Sequence, residues 1–124
     1  MTRVGILFLF VVLIFMVCWI TIAPEVEETA RAYYDFTNCL IEKDARFYCS
    51  KDISTCYEQK KIFASAAVDL PYVECSDSRN YTSQLEICRE HEIDAYPTWI
   101  FADGRRRIGV LSGEQLSMIT GCRW

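Results

Sequence analysis

One histidine, His91, stands among 124 residues, and no pair of C-x2-C motifs accompanies it, so the usual zinc donor patterns are missing. A lone histidine near a helix end, where positive charge is mildly favoured, reads as a surface side chain and not as a catalytic base or metal ligand. There is no phosphate-binding glycine loop and no serine nucleophile elbow. No repeat or low-complexity tract divides the sequence. Positive charge is short as well. Apart from Arg3 the chain carries twelve basic against seventeen acidic side chains, a balance of −5, which argues against nucleic acid as a partner. The one cluster of three, Arg105-Arg106-Arg107, reads as a solvated strand or hairpin edge, where charge discourages edge-to-edge pairing.

What the chain does have begins with Val4 to Ala23, an almost unbroken apolar run without charge. About 20 such residues span the hydrocarbon core of a bilayer. Thr21-Ile22-Ala23 resembles a small-residue cleavage site, but the run is longer than the ~7–15 apolar residues of a signal peptide. Residues 1–23 are therefore expected to form an uncleaved transmembrane anchor, with residues 24–124 as one small domain beyond it. Arg3 before the run, with Glu25, Glu27 and Glu28 after it, points to a cytoplasmic N-terminus and an exported body. Cys18 lies within the span as an apolar filler or lipidation site. The body holds Cys39, Cys49, Cys56, Cys75, Cys88 and Cys122, an even number suited to disulfides in an exported setting, with fifteen connectivities open.

Helical spacing of Ala30, Tyr33, Tyr34, Thr37, Leu40 and Ile41 predicts a helix from about Glu25 to Lys43, continuous with the anchor or hinged at Pro24. Ala45 to Cys49 reads as a strand, then Cys56 to Ala67 as a helix that turns Ile62, Phe63 and Ala66 inward. Leu70 to Cys75 is the next strand and Ser76 to Tyr81 a polar loop. Ser83 with Glu86 suggests a capping box for a helix to about His91. Thr98 to Phe101 and Arg105 to Val110 flank Asp103-Gly104, a strong hairpin signal, and Trp99 and Phe101 are expected in the core. Ser112 with Gln115 caps a final helix that Gly121 ends.

The stretch Phe47 to Phe63 carries the chemistry. Thr55 followed three residues later by Glu58 predicts a capping box, which makes Cys56 the first helical residue. A thiol at that positive end can fall from a pKa of about 8.5 to between roughly 3.5 and 7.5. The thiolate is the form that attacks disulfides.

These residues resemble a known family. Phe47-Tyr48, Cys56 with Gln59-Lys60-Lys61 and Phe63, Leu70 to Cys75, Cys88, Tyr96 to Gly104 and Thr120-Gly121-Cys122 are similar to the thioredoxin-like domain found alone, or fused to vitamin K epoxide reductase, in bacteria and plastids. A strand-helix-strand half followed by a hairpin and helix is also the thioredoxin order. The expected fold is α/β, thioredoxin-like, with a central four-stranded mixed sheet flanked by helices and a transmembrane helix in front. In that family the loop carries C-x-x-C. Here Ile53 stands at the first of those positions, only Cys56 survives, and Cys49 is a new cysteine where the family usually has glycine.

The resemblance implies further roles. Pro97 matches a proline kept in the cis state opposite the redox loop, so Tyr96-Pro97 would offer backbone groups to a substrate peptide. The plainer reading is a tight turn that shapes the core. Cys75 and Cys88 match the family's second pair, implying a structural disulfide. Cys39 and Cys122 match cysteines of solitary members, and their pairing would pin both ends of the domain. For Cys49 and Cys56 an exchangeable disulfide, a permanent third staple and free thiols all stay open.

Two functions follow. The first is a thiol-disulfide oxidoreductase with a Cys49/Cys56 centre, needing no cofactor and no metal. It would exchange with extracytoplasmic thiol or disulfide proteins and, by analogy, a quinone-linked membrane redox partner. The second is a redox-inactive, disulfide-stapled binding or scaffold module, which Ile53 favours.

Overall fold

The computed structural model describes residues 3–124, and the side chains of all of these except 4, 23, 24, 81 and 82. Internal contacts divide the chain into Met1–Arg31 and Ala32–Trp124. One helix, α1 (Arg3–Glu42), contributes residues to both units. In the first unit its apolar side chains are exposed all round, Phe8 at 70% and Trp19 at 75% among them. This helix is long and apolar enough to cross a membrane. Cys18 is a free, exposed cysteine on it.

The second unit is built on a four-stranded sheet. Its strands are β1 (Arg46–Cys49), β2 (Tyr72–Glu74), β5 (Thr98–Ile100) and β6 (Arg106–Ile108). They lie in the order β2-β1-β5-β6. β1 runs parallel to β2 and antiparallel to β5, which pairs antiparallel with β6. The strand-helix-strand crossover passes through α2 (Ser54–Lys61) and a 3-10 helix (Ala64–Asp69). The hairpin half is followed by α4 (Gly113–Thr120). This mixed sheet flanked by helices is the thioredoxin-like fold.

Side chains alternate across a strand, so β1, β2 and β5 feed two cores while β6 is exposed. Phe47 and Cys49, with Trp99 and Phe101, join Phe36, Leu40 and Phe63 on one face. Tyr48 joins Cys75, Cys88 and Ile93 on the other. Phe47 faces Trp99 across the β1–β5 ladder, their rings stacked at 4.9 Å. Gln59 is fully buried within the larger core, and both polar atoms of its amide are bonded. Nε2 donates to Leu111 O at 2.9 Å, while Oε1 accepts from Trp99 Nε1 at 3.1 Å and Leu111 N at 2.8 Å. Trp124 closes one end, edge-on to Phe36 at 4.9 Å and to Tyr33 at 5.4 Å. A Cβ at Gly113 would run into its indole.

Of the expected helix-end signals, those around α4 form. Ser112 and Gln115 form a complete capping box, and Gly121 ends α4 in the left-handed conformation at φ 77°. Two other expected boxes do not form. Ser83 lies in β4 (Asn80–Gln84), paired with β3 (Ser76–Asp77) as a hairpin where a loop was expected. Its hydroxyl donates to Asn80 O at 3.0 Å, and α3 (Glu86–Glu90) starts after Leu85 with no side-chain cap. The Thr55–Glu58 box is also absent: α2 is capped by Ile53, whose aliphatic side chain cannot accept a bond. Cys56 is thus the third residue of α2 and not the first. The helix expected to reach Ala67 stops at Lys61, and the chain re-forms as 3-10 helix after Ala64 turns to φ 46°.

Candidate functional site

Cys49 ends β1 and Cys56 lies in the first turn of α2, which brings the two sulfurs into a disulfide with Cα atoms 5.9 Å apart. The six intervening residues fold compactly enough for this because Ile53 N donates to Ser50 O at 3.1 Å, and Ile53 O then accepts from Cys56 N at 3.1 Å. Both cysteines are buried, at 0% and 1% exposure, whereas Ile53 on the turn above them is 37% exposed. Ile53 is therefore a partly exposed aliphatic group, while both sulfurs are buried.

The Tyr96-Pro97 peptide is cis. Thr55 reaches it, donating its hydroxyl to Tyr96 O at 3.2 Å. Pro97 is fully buried and its carbonyl accepts from Gly109 N at 2.9 Å. The Tyr96 hydroxyl accepts from Gln84 Nε2 at 2.7 Å. So the structure brings the Cys56 turn and the Tyr96-Pro97 peptide together, and one Tyr96 carbonyl bond is already used.

The remaining cysteines lie elsewhere. Cys75 is bonded to Cys88, with Cα atoms 5.6 Å apart, in the core on the opposite sheet face from Cys49. Cys39 is bonded to Cys122, at 5.8 Å between Cα atoms, across a separation of 83 residues. His91 follows α3, its ring 5.2 Å from that of Tyr48. Arg105 pairs with Asp103 at the β5–β6 turn, and Arg106 donates to the carbonyls of His91 and Glu92. Among the described residues no cluster of His, Cys, Asp and Glu could hold a metal ion.

Sequence reasoning assigned no role to Glu74, although it stands inside the Leu70 to Cys75 match. In the β1–β2 ladder Glu74 is level with Cys49. Its Oε1 accepts from Ser76 N at 2.8 Å, Ser76 Oγ at 2.6 Å and Lys51 N at 3.3 Å. Its Oε2 accepts from Tyr72 Oη at 2.6 Å. Burial pushes this carboxyl's pKa up, but the donors from Ser76, Tyr72 and Lys51 outweigh burial and hold it below the ordinary value. Tyr72 is shifted upward, first by burial and then by its bond to the Glu74 carboxylate. The Lys60 ammonium sits 3.7 Å from the centre of the Tyr72 ring. Only the fold could reveal the Lys51 bond, since it joins β2 to the turn after β1, whereas the Ser76 and Tyr72 bonds are local.

No family model matches the chain. The chain is similar to a thiol-disulfide oxidoreductase. Over 82 residues it is 39% identical to thiol-disulfide oxidoreductase LTO1 of Arabidopsis thaliana, a stretch that covers 60% of this chain and 19% of that protein. The chain thus matches about a fifth of the length of that curated relative. This likeness, with the three disulfides, supports a redox-related role.

Proposed function

We propose that the protein is a membrane-anchored thiol-disulfide exchange protein of the thioredoxin-like family associated with vitamin K epoxide reductase, with its domain exported and its N-terminus cytoplasmic. One observation carries the reading: a disulfide joins the end of β1 to the first turn of α2, and Thr55 of that turn bonds the cis Tyr96-Pro97 peptide. In this reading Cys49 and Cys56 are the exchanging pair, and Tyr96 and Pro97 face the partner's peptide.

The helix start favours the thiolate of Cys56 once the pair is reduced. That thiolate attacks one sulfur of a partner disulfide and releases the other as a thiolate, leaving a mixed disulfide on Cys56. Cys49, deprotonated, then attacks Cys56 Sγ. The partner departs with two thiols and the Cys49–Cys56 bond is restored, two electrons having passed to the partner. The same steps reversed oxidise a partner dithiol. No cofactor enters. Partners of this kind are extracytoplasmic thiol or disulfide proteins and, by family analogy, a quinone-linked membrane redox protein.

The test is disulfide mapping of the full chain in detergent micelles, with thiols trapped across graded glutathione buffers. Cys49–Cys56 should open at mild potential while Cys39–Cys122 and Cys75–Cys88 hold. Three equally resistant bonds would overturn the reading. A reporter fused after Trp124 that is active only outside the cytoplasm tests the orientation.

A second reading is favoured by burial of both sulfurs and by exposed Ile53: a stapled binding module without exchange. Ile53→Cys separates the two. If oxidoreductase activity is found only in that variant, the native protein is the binding module.

A further inference from the structure

An exchange partner has to approach two cysteines that are buried, so what holds the turn between Cys49 and Cys56 bears on their reactivity. β1 itself is tied down, since Cys49 O accepts from Cys75 N at 2.8 Å. The turn of residues 50–53 links the two cysteines, and Lys51 N on that turn donates to Glu74 Oε1 at 3.3 Å.

We infer that Glu74 is a positioning residue of the Cys49–Cys56 centre: its carboxylate pins the turn over the disulfide and so sets how readily a thiol reaches it. The inference rests on the exchange reading above. Three further bonds, from Ser76 N, Ser76 Oγ and Tyr72 Oη, hold the carboxylate in place. It therefore cannot follow the turn as the turn moves. The Tyr72 hydroxyl also lies 3.5 Å from Cys49 O, so the same cluster touches the chain on both sides of Ser50, where the turn leaves β1. The carboxyl's depressed pKa keeps it charged at neutral pH, and hydrogen bonds to a charged acceptor are the stronger kind.

Glu74 offers its own control. It bonds Ser76, the neighbour of Cys75, as well as the turn after Cys49. A merely structural carboxylate would loosen both disulfides when removed. A positioning carboxylate loosens one.

The experiment measures how fast dithiothreitol opens each disulfide in the full chain, in detergent micelles, for the native protein, Glu74→Gln and Glu74→Ala. The amide introduced by Glu74→Gln keeps one acceptor oxygen, so a graded response is expected. Cys49–Cys56 should open about tenfold faster in Glu74→Ala and by an intermediate factor in Glu74→Gln. Cys75–Cys88 should be unchanged, and hydrogen exchange at the Lys51 amide should quicken in step. An unchanged Cys49–Cys56 rate in Glu74→Ala, with the native bond opening readily, overturns the inference and leaves the exchange reading standing. A native bond that resists while Glu74→Ala opens supports the inference and removes the exchange reading. Equal acceleration of both disulfides, or resistance in every variant, overturns the inference. Glu74→Gln keeps the shape of the side chain and serves as the folded comparison if Glu74→Ala does not fold.

Discussion

The Thr55 hydroxyl donates to the carbonyl of Tyr96 at 3.2 Å, which fastens the turn bearing Cys56 to the cis peptide before Pro97. The bond spans 41 residues, yet it joins the two halves of the candidate site directly. Thr55→Val removes it while keeping the branched shape. The expected loss is about 1 kcal/mol of stability, read by chemical denaturation, with roughly fivefold faster opening of Cys49–Cys56 by a small thiol. An unchanged opening rate would show that the two halves are held together by other contacts.

Gln59 joins α2 to both β5 and the segment before α4 through three buried hydrogen bonds. Gln59→Leu keeps the volume but strands the indole N–H of Trp99 and both backbone groups of Leu111. A loss of about 3–5 kcal/mol is expected, from several orphaned buried groups together. Denaturation monitored by tryptophan fluorescence checks it, and a loss below about 1 kcal/mol would mean that water enters and satisfies them.

Gly113 has no room for a side chain because the Trp124 indole occupies the space. Gly113→Ala should destabilise the domain by about 1–3 kcal/mol, the usual range for overpacking. Trp124→Ala should be costly alone, but adding Gly113→Ala to it should cost little more. That non-additivity is the readout. Additive losses would place the strain of the alanine elsewhere.

Glu74 has a folded-state pKa below its ordinary value of 4.5. Its stabilisation is therefore present above the unfolded pKa and is lost as pH falls through the folded one. The difference in melting temperature between the native protein and Glu74→Gln should be full at pH 7. It should shrink in the acid range below about 4.5. A difference that stays constant down to the acid end would mean that the charge of the carboxyl is immaterial.

The pattern of Ser or Thr followed by Glu or Gln three residues later occurs at Thr55, Ser83 and Ser112, and only Ser112 becomes a capping box. The difference is not in the local residues. α2 begins one residue before Thr55, so Ile53 takes the cap position and the Thr55 hydroxyl donates to Tyr96 O instead, and Ser83 is drawn into a hairpin. The unbroken apolar run through Phe47, Tyr48 and Cys49, and the alternation of Trp99 and Phe101 with Thr98 and Ile100, made the two central strands legible. The hairpin from Ser76 to Gln84 was not, because polar strands this short carry no such alternation. The Cys49–Cys56 turn could be named from sequence as a candidate. Its burial, the exposure of Ile53 and the Glu74 tie to Lys51 arise only from packing across β1, β2 and α2.

The Cys39–Cys122 bond joins the end of α1 to the end of the chain. Under tension between α1 and the C-terminus, that bond bears the load and residues 40–121 lie outside the path of the force. The sheet is then mechanically bypassed. A single proteolytic cut anywhere within those residues likewise leaves both fragments covalently attached to α1. The domain can be pulled or nicked without being shed.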